Sequence, residues 1–162
     1  MRLNESVVIS APQRVVWDYL ADLENYLHFM SGITRWETDG ELRSGLGARR
    51  RMLFRVGSAE VGGLIEVVEW DEPNDLAWSS VTGLDQRGRL RLRAAGSAST
   101  RVELRYAYGV AGAGLSGWIS EHVSAPTISS HLRTSLQQLK RLIEHEKLRA
   151  EAAARTAERA GA

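Results

Sequence analysis

The segment GLSGWISEHVSAPTISSHLRTSLQQLKRLIEHEKLR, Gly114 to Arg149, places Leu115, Trp118, His122, Ala125, Ser129, Leu132, Leu136, Leu139 and Ile143 at steps of three and four. That is one helix face sustained over the whole stretch. At ~1.5 Å per residue such a helix reaches roughly 50 Å if straight, longer than the core of a domain this size, so the rest of the chain has to wrap around it. The stripe changes character along its length. Its second half is Leu and Ile, which closes a core, while its first half carries Trp118, His122 and Ser129 and is expected to face a cavity. Pro126 lies inside the segment, where it removes a backbone donor and crowds the preceding turn, so a kink or break is expected near Val123 to Pro126.

Upstream, the pattern is that of wrapping material. Leu3 to Ser10 reads as a strand ended by Ala11-Pro12. Val16, Tyr19, Leu20 and Leu23 follow at helical spacing, and Asp22 is placed to cap a second short helix through Glu24 to Met30. From Ile33 to Val110 the chain alternates strands and turns. Met52, Phe54 and Val56 share one face of Ala48 to Val56, against Arg49, Arg51 and Arg55 on the other. Gly62-Gly63 interrupts Ala59 to Trp70 and predicts a bulge or sharp bend, hence a curved sheet. Leu76 to Val81 and Arg89 to Arg93 lead to Thr100 to Val110, where Val102, Leu104, Tyr106, Tyr108 and Val110 alternate with charged residues. Short turns between closely spaced strands predict antiparallel pairing in an α+β fold. Seven strands curved over the terminal helix satisfy its need for cover. A single domain over residues 1–150 is expected, with an Ala-rich helical or frayed tail over 151–162.

Composition narrows the function. With 21 basic and 20 acidic residues the net charge is +1, which argues against a surface devoted to nucleic acid or anionic membrane. Arg87, Arg89, Arg91 and Arg93 alternate with Leu90 and Leu92, the pattern of a solvated sheet face without interleaved aromatics. The absence of cysteine excludes a disulfide framework, a thiol nucleophile and a cysteine-ligated metal. No run approaches ~18 apolar residues and the N-terminus lacks a signal-like apolar region, so a soluble, cytoplasmic protein is expected. His28, His122, His131 and His145 show no metal-ligand spacing, and no GxGxxG, P-loop or GxSxG motif occurs in its required context. No metal or cofactor is expected.

Ala11-Pro12, Val16-Trp17, Leu20-Ala21-Asp22 and Asn25-Tyr26, with the strand end Val68-Glu69-Trp70-Asp71-Glu72-Pro73 and the Leu132, Leu136, Leu139 helix, resemble the polyketide cyclase/dehydrase-like family of the START and birch-pollen-allergen (SRPBCC) superfamily. The resemblance runs from about Val7 to Glu144. It implies a helix-grip fold: a seven-stranded curved antiparallel sheet wrapped around a long C-terminal helix, two short helices between strands one and two, and a pocket between sheet and helix. Where that family commonly has Tyr-Pro-x-Trp, this chain has Tyr26-Leu27-His28-Phe29, which implies a differently shaped mouth.

In that frame His122 is the first candidate for proton exchange, against the plainer role of a histidine satisfied near the helix break. Tyr106 and Tyr108 project to one strand face and are either hydroxyl donors to a ligand or packing elements. Trp36, Trp78 and Trp118 with Met52 and Phe54 offer flat or adaptable contact surface, Phe29 belongs to the mouth, and Ser129 to the helix face; core packing accounts for the same residues. Trp17 belongs to the core. Glu66 and Glu69 lie on opposite strand faces, so one points inward unless a bulge intervenes. The leading function is binding of a small hydrophobic ligand, such as a lipid, isoprenoid or aromatic polyketide. The alternatives are a cyclase/aromatase/dehydratase-type enzyme and a protein-interaction module.

Overall fold

Alternation of Val7 and Ile9 with polar neighbours makes β1 (Arg2–Ile9), and Pro12 then stands at the entry of α1 (Gln13–Ala21), where its missing N–H costs no hydrogen bond. The computed structural model describes residues 2–109 and 125–162. Val16, Trp17 and Leu20 form the buried face of α1. Asp22 accepts a hydrogen bond from the Glu24 amide at 3.1 Å, capping a single 3-10 turn that leads into α2 (Tyr26–Phe29). Six strands follow: β2 (Ile33–Asp39), β3 (Arg49–Val56), β4 (Ala59–Asp71), β5 (Asp75–Gly83), β6 (Gln86–Ala94) and β7 (Thr100–Tyr108). All pair antiparallel in one seven-stranded sheet, ordered β1-β7-β6-β5-β4-β3-β2. The last described helix, α3 (Ala125–Ala160), lies against the sheet.

The sheet bends where backbones approach too closely for side chains. A Cβ on Gly62 would stand 2.0 Å from the Met52 carbonyl oxygen and one on Gly63 2.1 Å from that of Thr82, at φ of +152° and +158°. The ladder irregularity itself falls one residue beyond this pair: Leu64 and Ile65 face Thr82 and Ser80, leaving Val81 of β5 as the extra residue. A second bulge leaves Val68 unpaired between Val67 and Glu69. That bulge decides the glutamates. Both point outward, Glu66 to Arg49 at 2.9 Å and Glu69 to Arg89.

On α3, Ile128, Leu132, Leu136, Leu139 and Ile143 are buried at the predicted spacing, with Ser135 beside them. Polar groups fasten the helix along the edge strand: Lys140 donates to the Val8 carbonyl at 2.9 Å, Glu144 accepts from the Ser10 amide at 2.8 Å, and Lys147 reaches the Ser10 carbonyl at 3.2 Å. Past Ile143 the helix leaves the core, and residues 151–160 continue it fully exposed. Leu115, Trp118 and His122 of the predicted stripe, Val110 of the last strand, and Val123 and Ser124 of the predicted break at Val123 to Pro126 lie outside the described residues. Trp17 is buried in the core, as expected, and meets the partly buried Trp70 edge-on at 5.2 Å.

Leu139→Ala is expected to lower stability by about 2–5 kcal/mol in denaturant unfolding, and Leu148→Ala, on the exposed part of the same helix, by no more than about 0.5 kcal/mol. Equal costs at the two sites would contradict the burial assigned to α3.

Candidate functional site

Five elements converge on a cavity of about 30 Å³ between the sheet and the start of α3. The end of α2 brings Met30 and Ser31, β2 brings Ile33, β3 brings Met52 and Phe54, β7 brings Tyr106, and α3 brings Ile128, His131, Leu132 and Ser135. The inward alternation of β3 and the helical spacing of Ile128 and Leu132 make most of this wall apolar. One corner is not. The Ser31 hydroxyl lies 2.9 Å from His131 Nδ1, and the Ser31 amide donates to Ser135 Oγ at 2.8 Å. Ser135 in turn donates to the His131 carbonyl one turn back at 2.7 Å, as helical serines do. Gly32, at φ +82°, lets the loop press on the imidazole: a Cβ there would be 2.9 Å from His131 Cε1. The loop after α2 is thus tied to α3, and an imidazole–hydroxyl pair able to donate or accept a proton is held against an apolar space.

Tyr106 forms a second polar feature in the same wall. Its hydroxyl donates to Gln86 Oε1 at 2.6 Å, a wholly buried bond across β6 and β7, and burial pushes the phenol pKa well above its ordinary range. Among the described residues Gln86 Nε2 has no acceptor, and neither does the indole N–H of Trp78. Trp78 lies flat over Gly88, where a Cβ would come within 2.0 Å of its ring. Tyr106 is the partner of Gly88 on the other side, so Trp78, Gly88 and Tyr106 run in one row across the inner face.

A smaller void of about 10 Å³ lies beneath α2, lined among others by Tyr26, Trp36, Arg50 and Trp78. Trp36 stacks on Tyr26 with ring centroids 5.4 Å apart and donates its indole N–H to the Leu23 carbonyl at 2.8 Å. Arg50 is only 1% exposed. Its guanidinium donates to the Arg43 carbonyl and to Thr38 Oγ1, each at 2.6 Å, and to Glu24 at 3.2 Å. Burial pushes its pKa down, and the charge of Glu24 pulls it back. Arg50 therefore pins the β2–β3 end to the turn before α2.

Of the residues singled out in the sequence, Met52, Phe54 and Tyr106 meet in the larger cavity, while Trp36 and Trp78 line the smaller one. Phe29 is buried against Tyr26 and Tyr19, with centroids at 4.9 and 6.4 Å. Tyr108 is buried beside Tyr106, its ring 6.0 Å away. Ser129 turns to the sheet edge and donates to Glu5 at 2.8 Å. Burial opposes ionisation of Glu5, but hydrogen bonds from Arg133 and Ser129 outweigh it and hold the carboxyl below its ordinary pKa. Trp118 and His122 lie outside the described residues.

Sequence reasoning missed Ser31, His131, Ser135, Gln86 and Arg50. His131 and Ser135 stand four apart, each one residue ahead of a stripe leucine, and that spacing was the available signal. Among the described residues no group of three His, Asp or Glu side chains is placed to hold a metal ion, and no helix is long and apolar enough to cross a membrane.

Residues 1–144 match the family described as polyketide cyclase / dehydrase and lipid transport. No curated protein sequence matches significantly. Among solved structures, the TTHA0849 protein of Thermus thermophilus is 21% identical with a TM-score of 0.73, covering 88% of this chain and 97% of its own. The Zhui aromatase/cyclase of Streptomyces is 18% identical at 0.68, covering 89% and 93%. Major latex-like protein 151 of Panax ginseng is 10% identical at 0.66, covering 86% and 95%. Each shares the helix-grip arrangement of a curved sheet and a long C-terminal helix.

The two most deeply buried phenols separate cleanly by partner. Tyr106→Phe leaves Gln86 without its donor and is expected to cost about 1–3 kcal/mol, whereas Tyr26→Phe removes a hydroxyl that has no partner among the described residues and should leave stability unchanged or higher. Because both phenols have pKa values raised by burial, the stability they contribute is complete below the unfolded value of about 10 and falls as pH rises above it. Thermal unfolding of the three proteins at neutral and alkaline pH checks this; identical costs for the two substitutions would contradict it.

Proposed function

The chain belongs to the polyketide cyclase/dehydrase and lipid transport family, and from that premise we propose that it binds a small hydrophobic ligand between the sheet and α3. The observation that carries the reading is the wall itself: Met30, Ile33, Met52, Phe54, Ile128 and Leu132 on one side, and the Ser31–His131 pair with Tyr106 as its polar marks. Apolar walls with a few converging polar groups are what small-molecule sites consist of. Burial of ligand surface supplies the affinity at roughly 25 cal/mol per Å². The polar corner sets which end of the ligand enters first.

The space as it stands, about 30 Å³, suits an occupant no larger than a water molecule or two. A lipid, isoprenoid or aromatic polyketide therefore has to expand it. Met30 and Met52 are the movable parts of the wall, being unbranched and readily repacked. A cyclase-type reaction is the second reading, favoured by His131: its imidazole, hydrogen-bonded to Ser31 beside an apolar space, is equipped to move a proton at a ligand carbonyl or hydroxyl.

Native mass spectrometry of the protein purified from its own host is expected to show a retained neutral small molecule that disappears on solvent extraction. Recovery of empty protein that also takes up no added lipid or aromatic ligand would contradict the proposal.

A further inference from the structure

A much larger hollow, about 650 Å³, lies on the opposite, outer face of the sheet. Its walls are two cross-strand rows. The first runs Asn4, Arg105, Arg89, Ala77, Glu69 over β1, β7, β6, β5 and β4, and the second runs Arg2, Ala107, Arg87, Ser79. Small residues at Ala77, Ser79 and Ala107 leave the floor low, and four arginines stand around it. Arg89 and Arg105 are directly opposed on neighbouring strands, an arrangement of like charges that costs stability. Each has one carboxylate partner, Glu69 for Arg89 and Glu103 for Arg105. The side chains of Arg87 and Arg2 have no ion-pair or hydrogen-bond partner among the described residues. The four guanidinium groups of the basin are met by two carboxylates, Glu69 and Glu103, which leaves Arg87 and Arg2 in excess, with the apolar side chain of Val68 at one end.

We propose that this basin is a second ligand site, separate from the interior, which takes a soluble organic phosphomonoester. The phosphate dianion sits between Arg87, whose fork has no partner among the described residues, and the Nη groups of Arg105, whose Nε is held by Glu103, and it adds counter-charge beside the opposed arginines. The organic group extends from there over the low floor of Ala77 and Ser79 toward Val68 on β4. Val68 is available because the bulge pushes it out of the ladder, leaving it 50% exposed. A carboxylate monoanion matches the excess charge less well, and a neutral ligand gains nothing from it.

The test is isothermal titration calorimetry of the full chain with phenyl phosphate in low-salt, phosphate-free buffer, with phenol as the neutral control and phosphatidic acid vesicles as a separate arm. Phenyl phosphate is expected to bind, and Arg87→Ala and Arg105→Ala each to weaken that binding about tenfold or more with the fold intact by circular dichroism, while any uptake of phenol by the interior stays the same in both variants. Arg155→Ala, which removes a guanidinium from the exposed tail of α3, should leave the affinity unchanged. Added salt should weaken binding. The inference is overturned by absence of phenyl phosphate binding, by affinities that neither arginine substitution changes, by an equal loss of phenol binding in the arginine variants, or by binding to vesicles alone.

Discussion

Burial of one apolar stripe, Ile128 through Ile143, against the inner face of a curved sheet is the constraint on which the other features rest. A flat sheet cannot cover a helix on more than one side, so the curvature has to be built into the strands. It is built from glycine: Gly62 and Gly63 let β3, β4 and β5 close up to distances that a Cβ would forbid, and bulges at Val81 and Val68 take up the surplus chain. The helix in return covers edge strand β1 and satisfies polar groups at Val8 and Ser10 that would otherwise invite pairing with another chain. Sheet and helix each supply what the other lacks.

Where the stripe gives way to polar residues, the same geometry produces a site. Toward Leu139 and Ile143 the buried face of the helix is wholly apolar and polar contacts lie at its margin, but around His131 and Ser135 the buried face itself meets the loop Ser31-Gly32 through hydrogen bonds. A bonded seam of that kind can part and re-form more readily than an interdigitated core, because its groups are as well satisfied by a ligand or by water. The interior site and the outer arginine basin are separated by the thickness of one sheet, and the row Trp78, Gly88, Tyr106 contributes to the lining of the basin from beneath.

Much of the fold was legible in the residues. The three-and-four spacing of Leu132, Leu136, Leu139 and Ile143 marked the buried helix face, and the alternation of Val102, Leu104 and Tyr106 marked an inward strand face. Family resemblance carried the topology. The site was less legible for physical reasons. Ser31 and His131 meet across 100 residues, a contact that no local period encodes. Arg50 sits on the inward phase of β3, within the run Arg49 to Arg51 where composition points to solvent; its burial depends on Arg43, Thr38 and Glu24 gathering around it. The outward turn of both Glu66 and Glu69 required the bulge at Val68, where Val-Val-Glu has no glycine to announce it.

The central claim, that the interior between sheet and α3 opens to admit an apolar ligand, is most directly tested by methyl NMR of Met30, Met52 and Leu46. Met30 and Met52 line the cavity, and Leu46 stands exposed on the loop between β2 and β3. Titration with a neutral aromatic probe, 1-naphthol, should shift the Met30 and Met52 methyl signals together and saturably while leaving those of Leu46 in place. Equal small shifts at all three, or no shift at Met30 and Met52 at saturating probe, would contradict it.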